Sequence, residues 1–577
     1  MTACWRWLIG GLLAIVPQVS WAEFEVAALA GDASPDGNGS LALFAAPALN
    51  DLGQVSFLSQ LSGTNAGSSD DIGFFRRDSG GLVNILRTGD TYLGETVIGF
   101  QPTIASLDNH SFVSGVTGVT QGAGFLLHGF RGNGSTIAPH VPLYSASPTG
   151  NNSLFRLTAT GYNYDGDLIY SAIYDGTNAE QGLYRQLRGQ NTTTLALQGD
   201  TAPRGGTFGR LGFGSTQNRV GDVATFATVE QGSSTDIESL LRVVGSNLEE
   251  LVRQEDVAND GSTTIESLLG PATFIGNSQN VAFVAEYSQP GVLRDGVFLA
   301  GDNGIELIAP GLLPGSPTAA DEIRVFGISD DDTVGFTTEF IGGGLDALSG
   351  VYTADVDELT LVALEDTLVP RGGRYFRRFF DNSATINESG DLVFMAELSN
   401  TRNGSVSGRG LYHYSESTGL STIVETGDDL AGEEVTGLEF SGTPLVSPTQ
   451  FPDATLAGLN NLGQVAFLFV LDSGSAEGIA IWTPDALPGD FNGDGLVNLA
   501  DYTVWRDHLG AADESAINNA GDGLAGVDFG DYDLWKANFG VGTSTGIAAA
   551  SVPEPCTLHL MLLVGLSIVF TRWAVYR

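Results

Sequence analysis

A turn followed by alternating apolar and polar positions recurs along the chain. It reads NDLGQVSF at 50–57, LDNHSFVSG at 107–115, YNYDGDLIYSA at 162–172 and NRVGDVATFA at 218–227. It returns as GNSQNVAFVAE at 276–286, SDDDTVGFTTE at 329–339, NESGDLVFMAE at 387–397 and NNLGQVAFLFV at 460–470. The copies follow one another at roughly 50 to 70 residues, the range of propeller-type repeats or slightly beyond. Asn tolerates a left-handed φ and caps its own turn, and Gly at the fourth place reverses the chain without a Cβ clash. Val55 and Phe57 then alternate with Gln54 and Ser56, the period of a half-buried strand, so each copy marks a strand entry.

Each unit holds further strands. A Gly-apolar-aromatic segment follows: GFFRR at 73–77, GLYRQ at 182–186, GVFLA at 296–300, GVYTA at 350–354, GLYHY at 410–414 and GIAIW at 478–482. Next comes an apolar strand ending in an acidic turn, as in VNILRTGD at 83–90, TLALQGD at 194–200, LVALEDT at 361–367 and TIVETGD at 422–428. The leaders GTFGRLGF at 206–213 and RYFRRFF at 374–380 supply a fourth strand. Four strands per unit is the blade of a β-propeller, and eight units predict eight blades. Two smaller propellers or an open β-solenoid are the alternatives. EVAALAGD at 25–32 is the last strand of a unit with nothing before it, whereas the unit ending at 478–482 lacks that strand. Pairing the two closes the ring and removes two exposed edges.

These repeats resemble a bacterial family named for tandem NxxGxxAF repeats with variable C-terminal anchors, NNLGQVAF at 460–467 being the nearest match. The resemblance implies a repeat protein displayed at the surface and carries no catalytic activity over. The Gly-Asp pairs at 31–32, 89–90, 199–200 and 427–428 invite a ligand-binding reading. Turn chemistry is the better one, with Gly left-handed and Asp bonding its own turn backbone.

Length and charge narrow the class. A chain of 577 residues exceeds one compact core. With 68 acidic against 25 basic residues the net charge is −43, which argues against nucleic-acid binding, since phosphate must be met by basic side chains. Residues 1–22 read as a signal peptide: Arg6 is the positive flank, Leu8 to Val16 the short apolar core, and Ser20-Trp21-Ala22 the cleavage site. Cys4 and Cys556, the two cysteines, lie in the terminal segments, so packing and ions rather than disulfides must hold the body together. After a linker at 542–551, the tail at 552–577 runs Val552-Pro553-Glu554-Pro555, an apolar helix to Phe570, then Arg572 and Arg577. That order resembles the PEP-CTERM sorting signal, which implies membrane contact through the C-terminal helix before an exosortase-type protease cuts near the Pro-Glu-Pro. A plain C-terminal anchor is the alternative.

Between the repeat domain (23–485) and the linker lies the segment 489–541. GDFNGDGLVNLADYTVWRDHLG at 489–510 sets Asp490, Asn492, Asp494, Leu496 through its carbonyl, Asn498 through water, and Asp501 at the places of an EF-hand-type Ca2+ loop. Gly495 permits the bend, and Asp501 begins the helix 502–509, where a carboxylate favours the helix dipole. GDYDLWKANFG at 530–540 repeats ADYTVWRDHLG at 500–510, with Asp522, Asp528 and Asp531 at places three, nine and twelve of a second loop. Ala520 and Leu524 stand where ligands belong, which weakens the second site. The pair resembles a type I dockerin: a small α-helical, EF-hand-like module that binds a cohesin-like domain. The resemblance places the partner contacts at Leu499-Ala500, Phe529-Gly530, Arg506 and Lys536. A module this small without disulfides needs its metal to fold.

No catalytic constellation stands out. His110, His128, His140, His413, His508 and His559 form no close metal-ligand pairing, and neither a GxSxG elbow nor a P-loop occurs. The expectation is therefore a non-catalytic, exported cell-surface or matrix interaction protein docked through calcium. The alternative is a polysaccharide-binding or polysaccharide-degrading protein. A clustered carboxylate pair with an aromatic shelf at the channel mouth favours an enzyme; an axial channel lined by Gly, Ser and Thr favours a scaffold.

Overall fold

Each copy of the turn opens onto the second strand of an antiparallel sheet, and there are eight such sheets, so the chain builds a mainly β, eight-bladed propeller. A computed structural model describes residues 23–540 except 101–105, 122–123, 140–152, 176–179, 233–235, 290–291, 316–317, 321, 341–347, 417, 443–456, 473–475, 485–487, 493–496, 513, 519 and 522–525. The leader, the linker and the sorting tail lie outside these residues. No helix among the described residues is long and apolar enough to cross a membrane. The chain divides into a unit ending at Asp485 and a second beginning at Ala486.

Blade four shows the plan: Thr207–Gln217, Val223–Glu230, Ile237–Val244 and Asn247–Arg253 pair in sequence order. From blade three to blade seven the first strands of successive blades touch one another, which makes them the innermost strands of their sheets. Both leader segments fall on such strands, Thr207–Gln217 and Tyr375–Ile386. The eighth blade takes its outermost strand from the other end of the chain: Glu23–Leu29 pairs antiparallel with Glu477–Thr483. The ring is closed as the strand bookkeeping required.

Two apolar signals of the repeat meet inside five of the eight blades. The aromatic of the turn strand lies directly opposite the aromatic of the Gly-apolar-aromatic strand, and the rings stack: Phe57 on Phe75, Tyr170 on Tyr184, Phe283 on Phe298, Phe336 on Tyr352 and Phe394 on Tyr412. The glycine two residues before the second ring leaves room for it. At Gly410 a Cβ would stand 2.5 Å from the Tyr412 hydroxyl. Buried residues then gather between neighbouring blades; the cluster joining blades eight and one holds Ala27, Leu41, Phe57, Leu468 and Ile481.

The acidic turns behave as turn chemistry demands. Gly31, Gly89, Gly199 and Gly427 all have positive φ. The carboxylates of Asp32, Asp90, Asp200 and Asp428 accept the backbone N–H three residues earlier at 2.8–2.9 Å.

In the second unit α1 (Leu499–His508) and α2 (Phe529–Asn538) are related by internal repetition. The indole N–H of Trp505 donates to the Asp528 carbonyl at 2.7 Å, and that of Trp535 donates to the Asn498 carbonyl at 2.8 Å. The first helix starts three residues before the expected position. Its N-cap is Asn498, and Asp501 is the third helical residue, closing a capping box that Asp528 and Asp531 reproduce in α2.

The mouth of the channel and the acidic loop of the second unit

All eight turns are built alike. The backbone N–H at the first place donates to the carbonyl at the fifth, and that at the fourth donates to the carbonyl at the first. The fourth residue is left-handed in every copy, including Ser111, Gln279 and Asp332 where glycine is missing. The first-place Asn side chains do cap the turn: Asn50, Asn163, Asn218, Asn387 and Asn460 accept the fifth-place N–H at 2.8–2.9 Å. None of them has a positive φ, so the left-handed tolerance of Asn is not why it is there.

Its other half explains the choice. Each of these amides also donates to the neighbouring blade: Asn50 to the Asp108 carbonyl, Asn163 to Asn218, Asn218 to Gly276, Asn387 to Asn460 and Asn460 to Asn50, at 2.8–3.0 Å. The remaining boundaries are crossed by the Asn109 and Asp330 N–H groups, donating to the Tyr164 and Glu388 carbonyls, and by the Asn277 amide on Asp330. Hydrogen bonds therefore cross every blade boundary around one end of the channel. Asn accepts for the turn and donates across the gap; Asp108 can only accept, Gly276 has no side chain, and the Ser329 hydroxyl accepts the Thr333 N–H at 3.0 Å but donates within its own turn, to Asp331.

The second place supplies the mouth itself. Asp51, Asn109, Tyr164, Arg219, Asn277, Asp330, Glu388 and Asn461 give one polar residue per blade, and six of them line an opening of about 830 Å³ together with apolar inner-strand residues such as Phe274, Phe326 and Leu459. Their side chains interlock. Asn109 donates to Asp51 at 2.7 Å, Asn461 to Glu388 at 2.8 Å and Asn277 to Asp330 at 2.7 Å. Arg219 of blade four reaches Glu388 of blade seven at 3.3 Å and Asp51 of blade one at 3.9 Å, so it crosses the channel mouth. Tyr164 of blade three donates to the Leu459 carbonyl of blade eight at 2.9 Å.

Burial raises the pKa of Glu388, Asp330 and Asp51 add to it, and Arg219 opposes. Burial likewise raises Asp330, against its bond from Asn277. A carboxyl raised in the folded state binds more protons there than in the unfolded chain, so Glu388 costs stability above its folded pKa and that cost disappears below its unfolded one. Replacing Glu388 by Gln removes the ionisation while keeping an acceptor. The variant should therefore compare best with the natural protein at pH 7 and worse as pH falls toward 4.5, measured by urea unfolding; a pH-independent difference would contradict this.

Sequence reasoning missed this ring because it read the motif for its invariant places. The signal was the second place, polar in all eight copies yet different in identity.

Of the expected Ca2+ ligands, Asp494, Leu496 and Asp522 lie outside the described residues. Asp490 and Asp501 are both buried, at 4% and 0% exposure, within one short loop. Asp501 accepts the N–H groups of Asn492 at 3.0 Å and Asn498 at 2.7 Å. Asn492 is exposed, and the Asn498 oxygen is committed to capping α1 through the Ala500 N–H at 2.7 Å. In the second half Asp531 is fully buried, and Asp528 caps α2 through the Gly530 N–H. Among the described residues no three His, Cys, Asp or Glu side chains are gathered as a metal site. Two carboxylates buried in one loop offer hard oxygen donors of the kind calcium takes, so the donor set of the first loop fits calcium. Asp490, Asn492 and Asp501, with Asp494 and the Leu496 carbonyl, would hold it.

A family model described as a family of unknown function (DUF7453) matches residues 18–134, 131–347 and 323–490. No curated protein matches the sequence. Among solved structures, a Hadza microbial sialidase is similar at 12% identity and a TM-score of 0.29, over 79% of this chain and 92% of that one. An alpha-L-arabinofuranosidase of Fusarium graminearum is similar at 11% identity and 0.25, over 64% and 92%. TolB from Acinetobacter baumannii is similar at 10% identity and 0.26, over 65% and 80%.

Proposed function

Because the chain belongs to the family of unknown function DUF7453, its role has to be read from its own residues, and we propose that it is an exported, non-catalytic interaction protein of the cell surface or matrix, docked through a calcium-dependent module. The observation that carries the reading is the state of the mouth. Asp51, Asp330 and Glu388 are each engaged by an amide or by Arg219, an arrangement that supports a rigid polar surface rather than an acid and a base poised for proton transfer. The leader and the Pro-Glu-Pro tail in the sequence support export, and the buried pair Asp490 and Asp501 supports calcium. On this reading a cohesin-like domain is the partner of the second unit.

The test is a calcium titration of the chain from Glu23 to Gly540, followed by near-UV circular dichroism and by protection of the 489–540 segment from protease. Calcium should order the segment, and Asp501→Asn should abolish the response. A segment equally protected with and without calcium would overturn the docking assignment.

A second reading, polysaccharide binding or cleavage at the mouth, draws on one specific feature. A ring of Asn, Asp, Glu, Arg and Tyr offers the planar, paired donors and acceptors that adjacent sugar hydroxyls use, and the raised carboxyls of Glu388 and Asp330 resemble the acid of a glycosidase pair. Release of reducing ends from a polysaccharide panel, lost in Glu388→Gln, would promote it over the first.

A further inference from the structure

We propose that the mouth receives the end of an uncharged polysaccharide chain, with the terminal sugar seated against the Thr216 hydroxyl. The inference rests on the saccharide reading of the mouth and narrows it from a polymer to a chain terminus. It starts from one side chain that the fold leaves unsatisfied. Thr216 lies on the inner strand Thr207–Gln217 of blade four, two residues before the first-place Asn218. It is 6% exposed, and among the described residues its Oγ1 has no hydrogen-bond partner. The neighbouring Ser215 hydroxyl, by contrast, is matched by that of Thr225 at 2.7 Å. A buried hydroxyl that gives up water and finds no partner is costly to the fold, and a ligand that supplies the partner recovers that cost on binding.

The position of Thr216 decides what that ligand is. It lines the same opening as Arg219, Asn277, Asp330 and Glu388, and Phe274 and Phe326 of blades five and six line it too. One hydroxyl and two phenyl groups offer a hydrogen bond and an apolar surface but no counter-charge, so the group that enters is uncharged. A pyranose meets both demands, with hydroxyls around its edge and C–H groups on its faces. At the second places Asp51, Asp330 and Glu388 stand against Arg219 as the one base, which disfavours an acidic sugar.

The ring of turns sets the direction of approach. Hydrogen bonds cross every blade boundary at this end, so no gap between turns admits a chain from the side. Arg219 narrows the entrance further by spanning it to Glu388. A sugar that reaches Thr216 therefore comes through the ring, and an inner unit of a polymer, with chain on both sides, does not fit. Outside the ring the third-place residues Leu52, Val220 and Leu462 are all more than half exposed, an apolar rim for the units that follow.

The experiment is isothermal titration calorimetry of the full chain with linear neutral glucans, xylans, mannans and arabinans, each at two chain lengths. At least one series should bind one protein per chain at both lengths, because one kind of end fits. Thr216→Val keeps the shape and removes the hydroxyl. It should bind about tenfold more weakly and melt no lower than the natural protein, since no bond within the fold is lost. Thr216→Ser, which retains the hydroxyl, should keep most of the affinity, and Thr422→Val in the outermost strand of blade seven should bind normally. A stoichiometry that rises with chain length, equal affinity for the free monosaccharide, a lowered melting point of T216V, or unchanged binding by it (the result if water alone meets the hydroxyl) would each overturn the proposal and leave the saccharide reading standing. Absence of binding across the whole panel would overturn both.

Discussion

A chain beginning at Gly31, without the strand Glu23–Leu29, should fail to give a monomeric, cooperatively unfolding propeller. The deletion removes six paired positions against Glu477–Thr483 and leaves that strand as a bare edge. It also strips Ala27, Ala28 and their partly buried neighbours Val26 and Leu29 from the two apolar clusters that flank blade eight, exposing Ile479, Ile481 and Trp482. An unpaired apolar edge pairs with other chains, so aggregation is expected in size-exclusion chromatography. A peptide spanning 23–30, added during refolding, should restore the monomer. A truncated chain that is monomeric and melts as sharply as the intact one would refute strand donation as the closure.

The second large effect concerns the stacked pairs. Phe336→Ala in blade six empties the space opposite Tyr352, where the two fully buried rings lie 5.5 Å apart at 12°. Large-to-small changes of a buried aromatic cost about 3–5 kcal/mol, and the stack itself accounts for about 0.5–1.5 kcal/mol beyond area burial. Equilibrium denaturation should show a loss of that size. Phe336→Leu should recover much of it, because it refills volume without the ring. A loss below about 1 kcal/mol for the alanine variant would mean that the blade collapses onto the gap.

The comparison of sequence with structure sorts by physical cause. The strand entries, the Gly-aromatic strands, the acidic turns and the closing strand were legible because each follows from local backbone chemistry or from counting edges. Asn at the first place was legible as a turn cap but misread in its conformation, since its decisive partner, the carbonyl of the next blade, lies more than fifty residues away. The same distance hid the ring of second-place residues, which come together only across blade boundaries. In the second unit the repeat of helix and indole was readable from spacing. The helix start was not, because Asn498 and Asp501 are each competent to cap and only the backbone decides between them.

The borrowed strand also sets an order of events. During synthesis, the residues that complete the eighth blade emerge well before their partners, with almost the whole propeller between them. Local hairpins within each blade can form as they appear, whereas the final contact waits on the longest loop the domain contains. The entropy of such a loop grows only slowly with its length, but pairings so distant in sequence slow the approach to the native state. Until then the first strand remains an apolar ribbon with no partner. A factor that shields this strand during synthesis would act before the propeller is complete.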